Sequence, residues 1–220
     1  MNVAVVGANR GIGLALCQQL VAKKHNVYAY CRKASPELKE LSVAKMTENF
    51  DVTDAKTLSA TLKEQNLPKL DILFHVAGIM RSESLEDFHL ETLREQFEVN
   101  ALAPVLCVQA FLPYLKEGSK VGLLTSRMGS VADNTSGGMY GYRMSKAALN
   151  MAGMNLAHDL KPRGVTVLLL HPGYVQTDMT EHRGMITPEQ SAQGLIEVVG
   201  KHGLAESGTF WHVNGEPLPW

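Results

Sequence analysis

The feature that most constrains the fold is the opening of the chain: Asn2-Val-Ala-Val-Val6, then Gly7-Ala-Asn-Arg-Gly11-Ile-Gly13, then Leu14 to Lys24. A short run of β-branched and small apolar residues reads as a buried strand. The apolar positions Ile12, Leu16, Leu20 and Val21 then follow helical spacing. A strand that breaks into glycines and reopens as a helix aims free N–H groups and the positive end of the helix dipole at one point, which suits a pyrophosphate. Gly7 permits the tight turn, Gly11 lets backbone approach the phosphates, and Gly13 lets helix and strand pack closely. The spacing is G-x-x-x-G-x-G rather than G-x-G-x-x-G, so its weight comes from its place between a strand and an amphipathic helix.

Strand-like and helix-like segments alternate along the rest of the chain, which predicts a parallel sheet with helices on both faces. Strands are predicted at Asn26–Cys31, Lys45–Phe50, Leu70–Val76, Lys120–Thr125, Val165–Leu170 and Gly208–Val213. Helices are predicted at Pro36–Val43, Asp54–Glu64, Leu90–Leu115 with a kink at Pro104, Tyr142–Leu160 and Pro188–Val199. The expectation is a Rossmann-like, doubly wound α/β fold of about seven strands in one domain spanning residues 1–220, with strand order 3-2-1-4-5-6 and a seventh strand at the far edge. Ligand chemistry then belongs at the carboxyl ends of the strands. There the sequence places Gly7, Arg32, Asp51, Ala77-Gly78, Ser126 and Pro172-Gly173.

Composition excludes several alternatives. The 220 residues carry a net charge of −1, with 45% hydrophobic and 20% charged residues, and give no electrostatic case for nucleic acid or an anionic membrane. No basic leader precedes Gly13 and no apolar run is expected to reach a membrane span of roughly 20 residues, so a cytoplasmic protein is predicted. The three cysteines, Cys17, Cys31 and Cys107, fall in apolar patterns and read as buried free thiols. Neither they nor the eight histidines have metal-ligand spacing, and no metal is expected.

The second stretch with chemistry is Tyr142-Arg-Met-Ser-Lys146. Tyr and Lys four positions apart on a helix share a face. A nearby ammonium and a cationic nicotinamide would both favour phenolate, so such a phenol can exchange a proton with a reacting oxygen near neutrality. Alone, the pair also fits an ordinary amphipathic helix. At about 100° per residue Tyr142 lies about 40° from Lys146 around the helix, whereas Tyr140 would lie about 240° away. Gly137-Gly138 and Gly141 predict that Tyr140 belongs to the approach loop.

Taken together, the N-terminal glycines and Tyr142-x-x-x-Lys146 resemble the short-chain dehydrogenase/reductase family, and the matching motifs span almost the whole chain. The run Gly137 to Asn150 and the ending Gly-Glu-Pro-Leu-Pro-Trp220 resemble its C-factor and sniffer-type carbonyl reductases. The resemblance implies a catalytic set of Asn100, Ser126, Tyr142 and Lys146, with Ser130 the alternative to Ser126. It implies a cofactor site built from Gly7, Asn9, Arg10, Gly11, Ile12, Gly13, Arg32, Asp51, Val52, Ala77, Gly78, Tyr142, Lys146, Pro172, Gly173, Val175 and Thr177. Three residues depart from the family pattern: Val6 stands where a Thr is usual, and His75 and Val76 replace two asparagines. The segment Met179–Ile186, where a substrate lid is expected, is short.

The implied reaction is hydride transfer between a nicotinamide cofactor and a small carbonyl or alcohol substrate. The second strand ends in Tyr30-Cys31-Arg32-Lys33, with no acid to repel a 2′-phosphate, and Arg10 adds a cation. The expected cofactor is therefore NADP(H) in preference to NAD(H). Apolar Phe97, Leu102, Val105, Leu106, Met151, Met154 and Leu156 on the two long helices suggest a homodimer or homotetramer. The competing class is a dinucleotide-binding sensor or signalling protein on the same fold, which the intact Ser126, Tyr142, Lys146 and Asn100 set opposes.

Overall fold

The computed structural model describes all 220 residues, Met1–Trp220. Its strands are β1 (Asn2–Val6), β2 (Asn26–Tyr30), β3 (Lys45–Thr47), β4 (Leu70–His75), β5 (Leu115–Leu124), β6 (Thr166–His171) and β7 (Thr209–His212). They form one sheet of order β3-β2-β1-β4-β5-β6-β7 in which every pairing is parallel. The predicted architecture is thus observed. The chain leaves edge strand β3 and returns to the centre as β4 beside β1, so a crevice opens where the winding reverses.

Alternation along each strand feeds the two faces. Val3, Val5, Phe74, Leu168 and Leu170 meet helices α1 (Gly11–Ala22) and α7 (Pro188–Lys201) through Leu16, Leu20, Leu195 and Val199. Ala4, Val6, Leu73, Leu123 and Val167 meet α3 (Ala55–Glu64), α5 (Ala103–Phe111) and α6 (Tyr140–Leu160) through Leu58, Leu62, Phe111 and Leu149. Near the end of β2 the rings of Tyr30, Phe50 and Phe111 close this second layer, with centroids 4.7 and 5.3 Å from Tyr30.

Several boundaries differ from those predicted. The helix begun at Pro36 ends at Lys39 (α2), and β3 has three residues. β5 starts at Leu115, because a register shift opposite Leu70–Ile72, with Gly118 at φ +82° and the Ser119 hydroxyl donating to Leu70 O, lets the strand begin early. The expected long helix is α4 (Leu90–Phe97), a π turn at Glu98–Leu102, then α5. Pro104 sits in the first turn of α5, where a missing N–H costs little, so the irregularity lies upstream of it. By length and composition alone the run Leu90–Tyr114 is apolar enough to cross a membrane, with mean hydropathy 1.2. That corrects the expectation of no such run, although here it buries Cys107, Val108 and Phe111 against the sheet. Of the apolar residues named for self-association, Leu102 and Met151 are well exposed and the others are partly covered.

Gly13 sets how closely α1 can lie on β1. A Cβ there would stand 2.0 Å from the Gly7 carbonyl oxygen, a backbone atom that cannot step aside. Gly13→Ala is expected to lower unfolding free energy by about 3 kcal/mol, measured by urea denaturation of the protein without ligands.

Candidate active site

The crevice begins at the glycine turn. Gly7, at φ +93°, lies so near the end of β4 that a Cβ would meet Ala77 N at 2.7 Å, and at Gly11 it would meet Thr177 Cγ2 at 3.2 Å. The N-cap of α1 is Arg10, whose side chain does not cap the helix, and the first turn carries no acid. The N–H groups from Asn9 through Gly13, Ile12 included, find no acceptor within the protein. Open N–H groups at the positive end of a helix, in a cradle no side chain could share, fit a dinucleotide pyrophosphate.

The other predicted cofactor residues line the same ends of the sheet. Arg32 and Lys33 are exposed just beyond β2, and the loop after β3 is tied to them by Asn49 N donating to Arg32 O at 3.0 Å. Asp51 in that loop accepts from Thr53 N and its hydroxyl at 2.9 and 2.8 Å, Val52 packs on the core, and Asp54 is the residue that caps α3. Ala77-Gly78 lie between the glycine turn and Asn100, whose Oδ1 would be 3.2 Å from a Cβ at Gly78. Beyond β6, Gly173 turns at φ +84°, Pro172 O accepts from Ser191, and buried Val175 pairs with Ile186. Thr177 and Asp178 then reach back over the glycine turn, where the Asp178 carboxylate holds Arg10 at 2.9 Å. That ion pair ties the lid segment to the phosphate cradle.

Tyr142, Lys146, Ser126 and Asn100 converge at the carboxyl ends of β4 and β5. Lys146 is only 4% exposed. Its Nζ donates to Leu124 O at 2.9 Å and stands 5.8 Å from the centre of the Tyr142 ring. Burial pushes its pKa down to about 8. Burial also raises the Tyr142 phenol above its ordinary value, against an opposing contribution from the Ser126 hydroxyl. The sequence expectation of a lowered phenol combines the ammonium with a cationic nicotinamide; in the protein alone burial is the largest influence. Ser126 lies two residues beyond β5, and its hydroxyl, not that of Ser130, is the side-chain hydrogen-bond partner of the phenol; each serine also accepts one backbone N–H, from Met128 and Asp133 respectively, at 3.1 Å.

Asn100 lies in the π turn and is fully buried. Its side chain clamps both backbone groups of Ile79 at 2.8 Å and donates to Ser145 Oγ at 3.0 Å. Tyr140 is not in the approach loop: α6 begins with it, after Met139 at φ +52°, and its ring meets Phe88 at 5.8 Å. His75, one of the departures from the family pattern, is a packed strand-end residue whose Nε2 has no partner. Burial, with the charge of Lys146 added, holds its pKa at about 3.

The family model of short chain dehydrogenases matches residues 1–185. The chain belongs to the short-chain dehydrogenase family. This short-chain dehydrogenase is accordingly an oxidoreductase. It is 44% identical to 1-hydroxy-2-glutathionyl-2-methyl-3-butene dehydrogenase of Rhodococcus sp. (strain AD45), an alignment covering all of this chain and 99% of the relative. The carbonyl reductase Sniffer of D. melanogaster superposes with a TM-score of 0.92 at 27% identity, covering 100% and 99% of the two chains. An NADPH-bound carbonyl reductase from chicken fatty liver gives 0.90 at 30% identity, covering 100% and 98%.

Sequence reasoning missed three participants: Leu124 O, which holds the lysine; Asp178, which holds Arg10; and Glu83, beside the start of α6. The first is a backbone group and the other two are single acids in loops, so no residue pattern marks them. Lys146 has a measurable consequence. Its pKa in the fold lies below the ordinary 10.5, so between about 8 and 10.5 the unfolded chain binds more protons and stability rises with pH. Relative to Lys146→Met, the wild type is expected to gain about 3 kcal/mol across that window in urea titrations at stepped pH. A pH-independent difference would show that the ammonium is not desolvated.

Proposed function

We propose that this short-chain dehydrogenase is an NADP(H)-dependent reductase of small carbonyl compounds, running also in the alcohol direction, with Tyr142 as the proton donor. The observation that carries this reading is the buried Tyr142 with Ser126 facing its hydroxyl and Lys146 beside its ring, at the strand ends that adjoin the glycine cradle. When bound, the cofactor supplies the hydride. Tyr142 gives its proton to the oxygen that gains charge. Ser126 donates a hydrogen bond to the same oxygen. Lys146, cationic below about pH 8, stabilises the tyrosinate left behind and is placed to reach a ribose hydroxyl. Asn100 orders the Ile79 backbone at the edge of the site.

Cofactor choice rests on charge. Arg32 and Lys33 are exposed just beyond β2, where the nearby Glu48 carboxylate is engaged by Ala34 N at 2.8 Å, and Arg10 is at the mouth of the phosphate cradle. Such a set suits a 2′-phosphate, and the NADPH carried by the chicken carbonyl reductase supports the same preference.

With a panel of aldehydes and ketones and NADPH oxidation as the readout, Tyr142→Phe is expected to lower kcat by a hundredfold or more while the Kd of NADPH stays nearly constant. Tyr140→Phe, whose ring faces Phe88 rather than Lys146, should alter mainly KM. A dead Tyr140→Phe beside an active Tyr142→Phe would reverse the assignment. NADPH is expected to bind at least tenfold tighter than NADH, and Arg32→Ala to remove most of that difference. Equal binding of the two by wild-type protein would overturn the cofactor reading.

A further inference from the structure

The connection from β4 to α4 contains an acid that the proposed chemistry does not use. Residues Arg81 through Leu90 are all exposed except Glu83, which is 3% exposed. Three donors converge on its carboxylate. Thr92 Oγ1 reaches Oε1 at 2.9 Å, Gln96 Nε2 reaches the same oxygen, and Gly141 N reaches Oε2 at 3.2 Å. The Glu83 carbonyl also accepts from Met139 N at 3.0 Å. No Lys, Arg or His pairs with it. Each carboxylate oxygen therefore faces an N–H that can only donate, which two acceptor oxygens satisfy and an amide does not, while the Thr92 hydroxyl can also turn to His89 O at 2.9 Å.

Gly141 is the second residue of α6, so its N–H is one of the open donors of that helix's first turn, and the Met139 side chain does not cap it. Glu83 therefore supplies the cap from another segment, with its charge at the positive end of the helix dipole. The glycine at 141 has the same cause. A Cβ there would stand 2.3 Å from Gln96 Nε2 and 3.0 Å from Glu83 Oε1, so any side chain would push the carboxylate off the helix. Gln96, fully buried, is locked in orientation because its Oε1 accepts from Arg81 N at 2.9 Å, leaving its amide nitrogen to face Glu83. Tyr142 follows Gly141 directly.

We propose that Glu83 is a positioning residue for this reaction: by capping α6 at Gly141 it fixes the first turn of the helix and thereby the Tyr142 phenol against Ser126. This rests on the reading of Tyr142 as the proton donor.

The test uses the whole protein with NADPH and an aldehyde in single-turnover mode, so that rates are per bound cofactor and any unfolded fraction drops out. Glu83→Gln puts an amide among three donors and is expected to slow hydride transfer at least tenfold, with the Kd of NADPH unchanged within about twofold. Adding Gln96→Glu restores a donor–acceptor match within the pair, since a carboxylate at position 96 can accept from the amide introduced at position 83 and from Arg81 N, while giving up the bond that the Gln96 amide nitrogen makes to Thr92 O at 3.2 Å. The double variant should recover to within about threefold of wild type, whereas Glu83→Ala with Gln96→Glu should not. Amide hydrogen exchange at Gly141 should follow the same order: protected in wild type, at least tenfold faster in Glu83→Gln, and slowed again in the swap. Unchanged Gly141 exchange in Glu83→Gln, a single-turnover rate within twofold of wild type, or a swap that fails to recover would each overturn the proposal. If Gly141 exchange behaves as expected while Tyr142→Phe stays active, the cap stands and the proton-donor reading is what fails.

Discussion

The whole arrangement depends on backbone meeting backbone where β1 turns into α1. Gly13 lies against the Gly7 carbonyl and Gly7 against Ala77, with no room for a β-carbon at either contact. These approaches bring the start of α1 and the end of β4 to the reversal point of the sheet. The N–H groups left open there cannot be satisfied by a neighbouring side chain, because the closeness that creates the cradle excludes one. A helix end free of caps and acids would be a defect elsewhere. At this position it is what an anionic ligand needs.

A second constraint works against stability. Lys146 carries an ammonium into a place where water reaches only 4% of the residue, and Leu124 O is the one protein acceptor it finds. Desolvation of that kind is not offset by one carbonyl, and the lowered pKa reflects the imbalance. Nearby, His75 leaves a ring nitrogen unpartnered and stays neutral, since a second cation beside the lysine would add to the desolvation penalty. Unsatisfied and desolvated polar groups therefore gather at the ends of β4, β5 and β6, where His171 Nδ1 is also unpartnered, although burial raises the pKa of Cys17, Tyr30 and Cys107 within the two apolar layers as well. Concentration of perturbed groups at one end of a sheet is the pattern expected where binding and proton transfer have shaped the residues.

What the sequence revealed, and what it concealed, follows from the range of the interactions involved. Strands β1, β2 and β4 depend on local patterns, and the strand order follows from the alternation of strands and helices, so these were legible. The pairing of Tyr142 with Lys146 was legible because helical spacing alone places them on one face. The start of α6 was not. Gly137-Gly138 and Gly141 look like loop residues, and only Gln96 and Glu83, far away in the chain, explain why a glycine belongs in the helix's first turn. The π turn around Asn100 is equally opaque, since its cause is the clamp on Ile79. Spacing likewise shows the charge beside the phenol but not its burial, which in the protein alone pushes the other way.

The pairing of Arg10 with Asp178 links the two halves of the crevice in a way that bears on how a cofactor would enter. Both side chains are more than half exposed, 66% and 59%, and an ion pair in such surroundings contributes at most about 1 kcal/mol. It is strong enough to orient the guanidinium over the glycine turn and too weak to hold it against a doubly charged phosphate, which Arg binds through two parallel hydrogen bonds. In the proposed reading Asp178 keeps Arg10 poised when no phosphate is present and yields it when one arrives. The segment that carries Asp178 does not depend on this pair, since Thr180 Oγ1 donates to Val175 O and accepts from Thr177 N, and the Thr177 methyl packs against Gly11. Entry of the phosphate would then exchange a weak carboxylate partner of Arg10 for a stronger one while the backbone around Thr177 stays in place.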